Sequence, residues 1–333
     1  MHEALYYEKR TDGVMCTLCP HFCHIRPDRT GICRSRFHRD RILVSGNYGK
    51  VSALHFDPIE KKPLYHFYPG RIIFSIGSTG CNLQCSFCQN AGISQVSPPE
   101  YTTSQEYTPG QLLNMAFQHH DNMGVAFTYN EPAVWYEYMF DIALLSHQAG
   151  LKNIMVTNGF INPAPLQQLM TVMDAFSVDL KAFTEEFYRK ITRASLEPVK
   201  ETLKCIRLAG KHLEITNLVI PTLNDDEAVF ETMCRWIADE LGAGTILHLS
   251  RYFPTYKMTI PGTAAQTLIN LRHIAMKYLD YVFIGNITLQ EGNDTVCARC
   301  GTTVISRRGY VTSISGLDPS GNCAKCGNPI AIV

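Results

Sequence analysis

The sequence predicts an α/β protein built on a partial (β/α)6 barrel, with an N-terminal four-Cys module before it and a C-terminal zinc-ribbon-like module after it. Two observations carry this expectation. Short apolar runs alternate with longer amphipathic segments through the middle of the chain, the pattern of βα units feeding a parallel sheet. Of the 13 cysteines among 333 residues, all but Cys205 and Cys234 fall in three groups: one before the alternation, one directly after its first run, and one after its last. The expected divisions are residues 1–56, 57–293 and 294–333.

The apolar runs occupy residues 71–76, 125–128, 153–157, 176–180, 213–219, 246–249 and 281–284. Their length and continuity suit strands buried on both faces. Helical segments are expected at 109–120 behind a Thr108 cap, at 132–148 ending near Gly150, at 225–241 ending at Gly242, and at 263–278. About six βα units fit an open barrel better than a full eight-unit one, and a doubly wound sheet is the alternative. Cys205 and Cys234 sit in helical patterns beside Ile206 and Ile237, where a free thiol packs as a small hydrophobe.

Composition narrows the function classes. Thirty basic residues balance 30 acidic ones, and the sequence pI is about 7.1, so no positive field marks a nucleic-acid partner. No run reaches the ~18 apolar residues of a membrane span, and the acids within the first ten residues break any signal-peptide core. A cytoplasmic location is expected. Clustered cysteines in such a protein point to metal rather than disulfides.

In a parallel α/β architecture chemistry gathers where strands end. The first run leads through Gly77-Ser78-Thr79-Gly80 into Cys81; the second ends in Thr128-Tyr129-Asn130-Glu131, the third in Thr157-Asn158-Gly159, and the fourth in Asp179-Leu180-Lys181. Strand alternation puts Asp179 and Lys181 on one side, where they either pair with each other or meet a zwitterionic ligand. His248, Ser250 and Arg251 end the sixth run.

Cys81, Cys85 and Cys88 are spaced by three and two residues. Structural zinc takes four protein ligands, whereas three thiolates on a cubane cluster leave one iron open for another molecule. This Cys-x3-Cys-x2-Cys loop resembles that of the radical S-adenosylmethionine (SAM) superfamily. The segments 57–70, Thr157-Asn158-Gly159-Phe160 and Asp179-Leu180-Lys181 are similar to the branch of pyruvate formate-lyase activating enzymes. Cys16-Thr17-Leu18-Cys19-Pro20-His21-Phe22-Cys23, Gly31-Ile32-Cys33-Arg34 and Thr128-Tyr129-Asn130-Glu131-Pro132 resemble the AmmeMemoRadiSam-system proteins of that branch. The resemblance implies a [4Fe-4S] cluster on Cys81, Cys85 and Cys88. It further implies Glu131 at the SAM amino group, Asn158 at the ribose or methionyl part, and Asp179 and Lys181 at ribose and carboxylate. Where the superfamily commonly has Gly-Gly-Glu-Pro, this chain has Tyr129-Asn130-Glu131-Pro132, so backbone contacts to SAM are expected to differ. His248 is the candidate for the SAM-contacting histidine that activating enzymes often carry.

At the C-terminus, Cys297-x2-Cys300-Gly301 and Cys323-x2-Cys326-Gly327 form two knuckles of a zinc-ribbon pattern, with residues 304–315 as a hairpin turning at Arg307-Arg308-Gly309. Cys16, Cys19, Cys23 and Cys33 have the ligand count for zinc or for an auxiliary [4Fe-4S] cluster, with His21, His24 and His38 as substitutes. Eight basic residues against five acids in residues 1–41 form a solvated face or a docking surface for an acidic protein or reductant.

The expected activity is reductive cleavage of SAM to a 5′-deoxyadenosyl radical that takes hydrogen from a substrate the motifs do not encode. A partner protein, Memo-like or AMME-related, is one candidate substrate, and flavodoxin or ferredoxin is the expected electron donor. A glycyl-radical activating enzyme is the alternative chemistry. A non-catalytic metal-binding scaffold is the alternative class.

Overall fold

The computed structural model describes residues 1–289 and 291–333. Its largest element is an eight-stranded sheet of β1 (Ala53–Pro58), β2 (Ile72–Gly77), β3 (Asn122–Phe127), β4 (Lys152–Thr157), β5 (Ala175–Asp179), β6 (His212–Val219), β7 (Ile246–Arg251) and β8 (Val282–Gly285). The strands lie side by side in chain order. All neighbours pair in parallel except β1, which runs antiparallel to β2 at one edge. Residues such as Phe74, Phe127, Ile154, Phe176 and Leu247 have essentially no exposure. Burial on both faces explains why these strands read as apolar runs.

Each crossover from β2 to β8 carries one main helix, α1 (Pro109–Ala116), α2 (Tyr136–Gln148), α3 (Pro163–Met170), α4 (Glu197–Leu208), α5 (Glu227–Leu241) and α6 (Ala265–Ala275), with short helical turns besides at Ala91–Ser94 and Glu185–Phe187. Thr108 and Gln111 form a reciprocal capping box on α1, and Asp226 accepts the backbone N–H groups of Ala228 and Val229 on α5. Gly242, at φ +97°, closes α5 in a conformation that favours glycine. The expected helix at 132–148 is a 3-10 turn, Pro132–Trp135, running into α2. The sequence reading did not propose α3, because Pro163 and Pro165 resemble loop punctuation; Pro at the first helical position is instead a normal start.

The division after residue 56 cuts through β1, whose alternating Leu54, His55, Phe56 and Asp57 gave only a weak edge-strand signal. Pairing with β2 makes this segment part of the central sheet, with Asp57 opposite Ile73 near the start of β2.

Residues before β1 form two three-stranded sheets: His2–Glu3, Ile42–Ser45 and Arg36–Arg39 in one, Tyr7–Arg10, Gly13–Cys16 and His24–Ile25 in the other. A buried ion pair between Arg36 and Glu137 of α2 anchors them, and Leu5 completes the joint by donating to Glu137 Oε1 (2.8 Å) and accepting from Arg36 Nη1 (2.8 Å).

The tail is a three-stranded sheet of Thr295–Val296, Thr303–Arg308 and Val311–Ile314. Its hairpin turns after Arg308, so Arg307 and Arg308 belong to the strand rather than the turn. Arg307 is 1% exposed, donates to the Tyr65 carbonyl (2.7 Å) and Thr295 Oγ1 (3.0 Å), and stacks 4.2 Å from the Tyr65 ring centre. It is a bolt between tail and sheet. The chain end returns as well, with Tyr68 N donating to Ile332 O (2.7 Å) and Ile332 N to His66 O (2.9 Å).

Glu137→Ala leaves Arg36 buried without its counter-charge, so denaturant unfolding is expected to show a loss of about 3–5 kcal/mol; a loss below about 1 kcal/mol would show that the leader is not anchored by this pair.

Candidate functional site

A cleft of ≈ 870 Å³ opens at the ends of the parallel strands, and the polar residues ending those strands line it. Cys81, Cys85, Cys88, Glu131, Asn158, Asp179, Lys181 and His248 all face it.

The three-cysteine loop is fixed by residues that bind no metal. Gly80, at φ +91°, approaches the leader so closely that an added Cβ would lie 2.6 Å from Cys33 O and against Ser35 Oγ; only glycine fits. Asn82 Nδ2 donates to Phe160 O (2.6 Å) while its Oδ1 accepts from Asn158 Nδ2 (2.9 Å), an amide nitrogen 3.7 Å from Cys81 Sγ. His21 Nε2 lies 2.7 Å from Asn82 O. Burial pushes the Cys85 thiol up to about 12 and Cys81 well above its usual range, so metal binding at these thiols would release protons.

Glu131 is 3% exposed, and its carboxylate accepts from Thr157 Oγ1 (2.7 Å), Asn158 N (2.8 Å) and Ala133 N (3.0 Å). Burial raises its pKa to about 7 against the pull of these donors. The residues replacing the superfamily's glycines have their own work. Tyr129, in the left-handed region at φ +74°, donates its hydroxyl to Asp57 Oδ2 (2.8 Å). Asn130 accepts from Ser78 N (3.0 Å) and donates to Gly80 O (3.0 Å), tying the end of β3 to the cysteine loop.

Asp179 and Lys181 pair at 2.8 Å. Burial disfavours the lysine's charge, but Asp179 and Cys85 outweigh it, so Lys181 stays cationic. His248 Nε2 lies 2.6 Å from Glu214 Oε2. Glu214 is fully buried and also meets His212 Nε2 (2.8 Å) and the backbone N–H groups of Tyr65 and His66 (2.9 and 2.8 Å). Despite burial, these histidines hold the Glu214 carboxyl well below its usual range. The sequence reading missed Glu214, although an acid inside the apolar run Leu213-Glu214-Ile215 was a signal. It also missed the four-residue cluster lining the cleft, where Asp57 holds Lys62 (2.8 Å, 3% exposed), Lys61 (3.1 Å) and Tyr129.

The tail cysteines converge: Cys297–Cys326 and Cys300–Cys323 sulfurs are each 3.6 Å apart, and all four lie within 4.8 Å of one another. A tetrahedral zinc thiolate site has edges of ~3.8 Å. Neither the leader four nor Cys81, Cys85 and Cys88 contain any three sulfurs so close among the described residues. The cleft cysteines therefore suit thiolates on separate irons rather than one ion. The substitutes named for the leader are engaged elsewhere: His24 with Asp12, His38 with Ile25 O, and His21 with the cysteine loop. Cys234 is fully buried in α5 and Cys205 is half-buried on α4. One further grouping, His119, His120 and Asp121, lies mostly exposed between α1 and β3.

Comparison with known proteins defines the class first. A crystal structure of a radical SAM methyltransferase from Sphaerobacter thermophilus shares the fold, with TM-score 0.53 and 15% identity over 66% of this chain and 67% of that one. The profile of the Radical SAM superfamily matches residues 75–233, which contain all three cleft cysteines and the ends of β2 to β6. Over that stretch the chain is similar to the radical SAM superfamily. Over its whole length, and the whole of the relative, it is 41% identical to an uncharacterized protein of Methanocaldococcus jannaschii. It is also 24% identical to a pyruvate formate-lyase-activating enzyme of Clostridium pasteurianum over 148 residues, 44% of this chain and 62% of that protein.

Asp57→Asn is expected to destabilise the protein by about 3 kcal/mol by leaving Lys62 buried without a counter-charge. Lys62 and Tyr129 hold the Asp57 carboxyl well below its usual range despite burial, so its stabilisation is present above the unfolded value of about 3.9 and is lost only as pH falls through the lower folded value. Unfolding free energies of wild type and variant should therefore differ by a constant amount from pH 8 to 5 and converge in stronger acid; convergence already at pH 6 would refute this.

Proposed function

We propose that this protein is an enzyme that carries a [4Fe-4S] cluster on Cys81, Cys85 and Cys88, binds SAM in the cleft and abstracts hydrogen from a substrate seated above it. The observation that carries this reading is the convergence of three thiols, a buried carboxylate and an Asp–Lys pair on one cleft at the strand ends. Together, cluster and SAM would supply one-electron cleavage to methionine and a 5′-deoxyadenosyl radical.

The chain's own residues position and shield. Glu131, titrating near 7 and already aligned by three donors, would take the ammonium of SAM in a charge-assisted contact. Asn158 bridges Asn82 and Cys81, so it would sense both cofactor and cluster loop. Lys181 would receive the carboxylate and Asp179 the ribose hydroxyls, the two neutralising one another until SAM arrives. Tyr129 and Asn130 lock their backbone in place of the usual glycines. We read the sheet and its six crossovers as a partial (β/α)6 barrel, and the four-cysteine site of the tail as structural zinc closing a ribbon that packs against Tyr65, Ile246 and Phe283. The reading includes a cytoplasmic enzyme, a flavodoxin or ferredoxin as reductant, and membership of the AmmeMemoRadiSam-system group with a Memo-like or AMME-related protein substrate.

Similarity to pyruvate formate-lyase-activating enzyme supports a second reading, installation of a glycyl radical on a partner protein.

Glu131→Gln tests the cofactor role. It should weaken SAM binding by roughly 10- to 100-fold in an anaerobic titration, the equivalent of about 1.5–3 kcal/mol, with iron content unchanged. Undiminished affinity would remove Glu131 from the SAM site. Cys297→Ser should lose zinc while retaining iron, and a tail that holds iron in the wild type would refute the zinc assignment.

A further inference from the structure

The four leader cysteines are not used by the cleft, and the chain offers two internal standards for what they hold. The tail thiols stand at 3.6 Å in pairs, as one tetrahedral ion requires, since zinc–sulfur bonds of about 2.3 Å give edges of ~3.8 Å. The three cleft thiols are not all within 4.8 Å of one another among the described residues, and thiolates on separate irons of a cubane stand roughly 6 Å apart. Cys16, Cys19, Cys23 and Cys33 follow the second pattern. All four line one enclosed cavity, yet no three of their sulfurs lie mutually within 4.8 Å among the described residues.

The surroundings agree. Leu18, Ile25 and Val134 make the cavity wall largely apolar. Arg36, 1% exposed, lines it too, with Nη1 3.8 Å from Cys16 Sγ and with an Nε that has no hydrogen-bond partner among the described residues. A buried N–H without an acceptor is costly, and the bridging sulfides of a cubane supply acceptors that a single zinc ion does not. The tail knuckles turn on Gly301 and Gly327, at φ +70° and +71°. In the leader, Pro20 follows Cys19, so no glycine knuckle forms there, while Arg34 after Cys33 takes the left-handed conformation at φ +63°.

We infer that Cys16, Cys19, Cys23 and Cys33 hold a second [4Fe-4S] cluster, fully ligated by protein and so without an open iron for SAM. Its place suits one-electron transfer to the first cluster. Cys33 O packs against Gly80, the residue before Cys81, and His21 joins the leader to Asn82 at 2.7 Å. This role rests on the cleft reading above; the site itself does not. A low-potential flavin or iron–sulfur carrier protein would give one electron to the leader cluster, which would return to its oxidised state on passing that electron inward, with no bond made or broken.

The test is iron, sulfide and zinc analysis with EPR on anaerobically reconstituted full-length protein. Wild type should hold about eight iron and one zinc, and the Cys81→Ala/Cys85→Ala/Cys88→Ala variant about four iron, with a reduced-cluster EPR signal indifferent to SAM. Cys19→Ala/Cys33→Ala should lose about four iron while keeping the tail zinc, which reports a folded chain, and a SAM-responsive signal. Two zinc per chain in wild type, or a cleft triple variant free of iron, would overturn the inference. Failure of the cleft reading looks different: the cleft triple variant would then match the wild type in iron.

Discussion

The clamp on the cysteine loop after β2 is the constraint on which the other parts depend. The three thiols of the proposed cluster do not fix their own loop; neighbours do it from two sides. From the leader come the close approach of Cys33 and Ser35 to Gly80 and the contact of His21 with Asn82. From the strand ends come Asn130 on Gly80, and Asn158 and Phe160 on Asn82. Leader and sheet must therefore be held in register, which is the work of the buried Arg36–Glu137 pair. A segment that would otherwise read as an appendage is part of the active architecture.

Electrostatics in the cleft follow one rule, that each buried charge already has a partner before any ligand arrives. Asp179 meets Lys181, Asp57 meets Lys62, and Glu214 sits between two histidines and two backbone N–H groups. Glu131 is the exception. Its partners are neutral donors, burial lifts it to about 7, and a cationic ligand is what it lacks. That contrast singles out Glu131 more sharply than any motif does.

Much of this was legible in the sequence, for physical reasons. Strands buried on both faces must be apolar throughout, so β2 to β8 stand out, and the polar residues ending them mark the cleft. What escaped depends on contacts between residues distant in the chain. β1 is an edge strand with a mixed face, and its role appears only through pairing with β2. Arg307 resembled a surface turn residue until Tyr65 was seen to cover it. Spacing marked the tail cysteines as a zinc ribbon and left the leader four open between zinc and a cluster; among the described residues only the tail four gather within 4.8 Å of one another. The substitution of Tyr129-Asn130 for two glycines was visible, but not its compensation by Asp57, Ser78 and Gly80.

The central claim is that this cleft cleaves SAM, and chromatography of the products tests it most directly. Reconstituted wild-type protein, reduced anaerobically and given SAM without any substrate, should release 5′-deoxyadenosine and methionine in equal amounts, and the Cys85→Ala variant should release neither. A fully loaded, reduced wild type that forms no 5′-deoxyadenosine, alone or with candidate partner proteins added, would contradict the account.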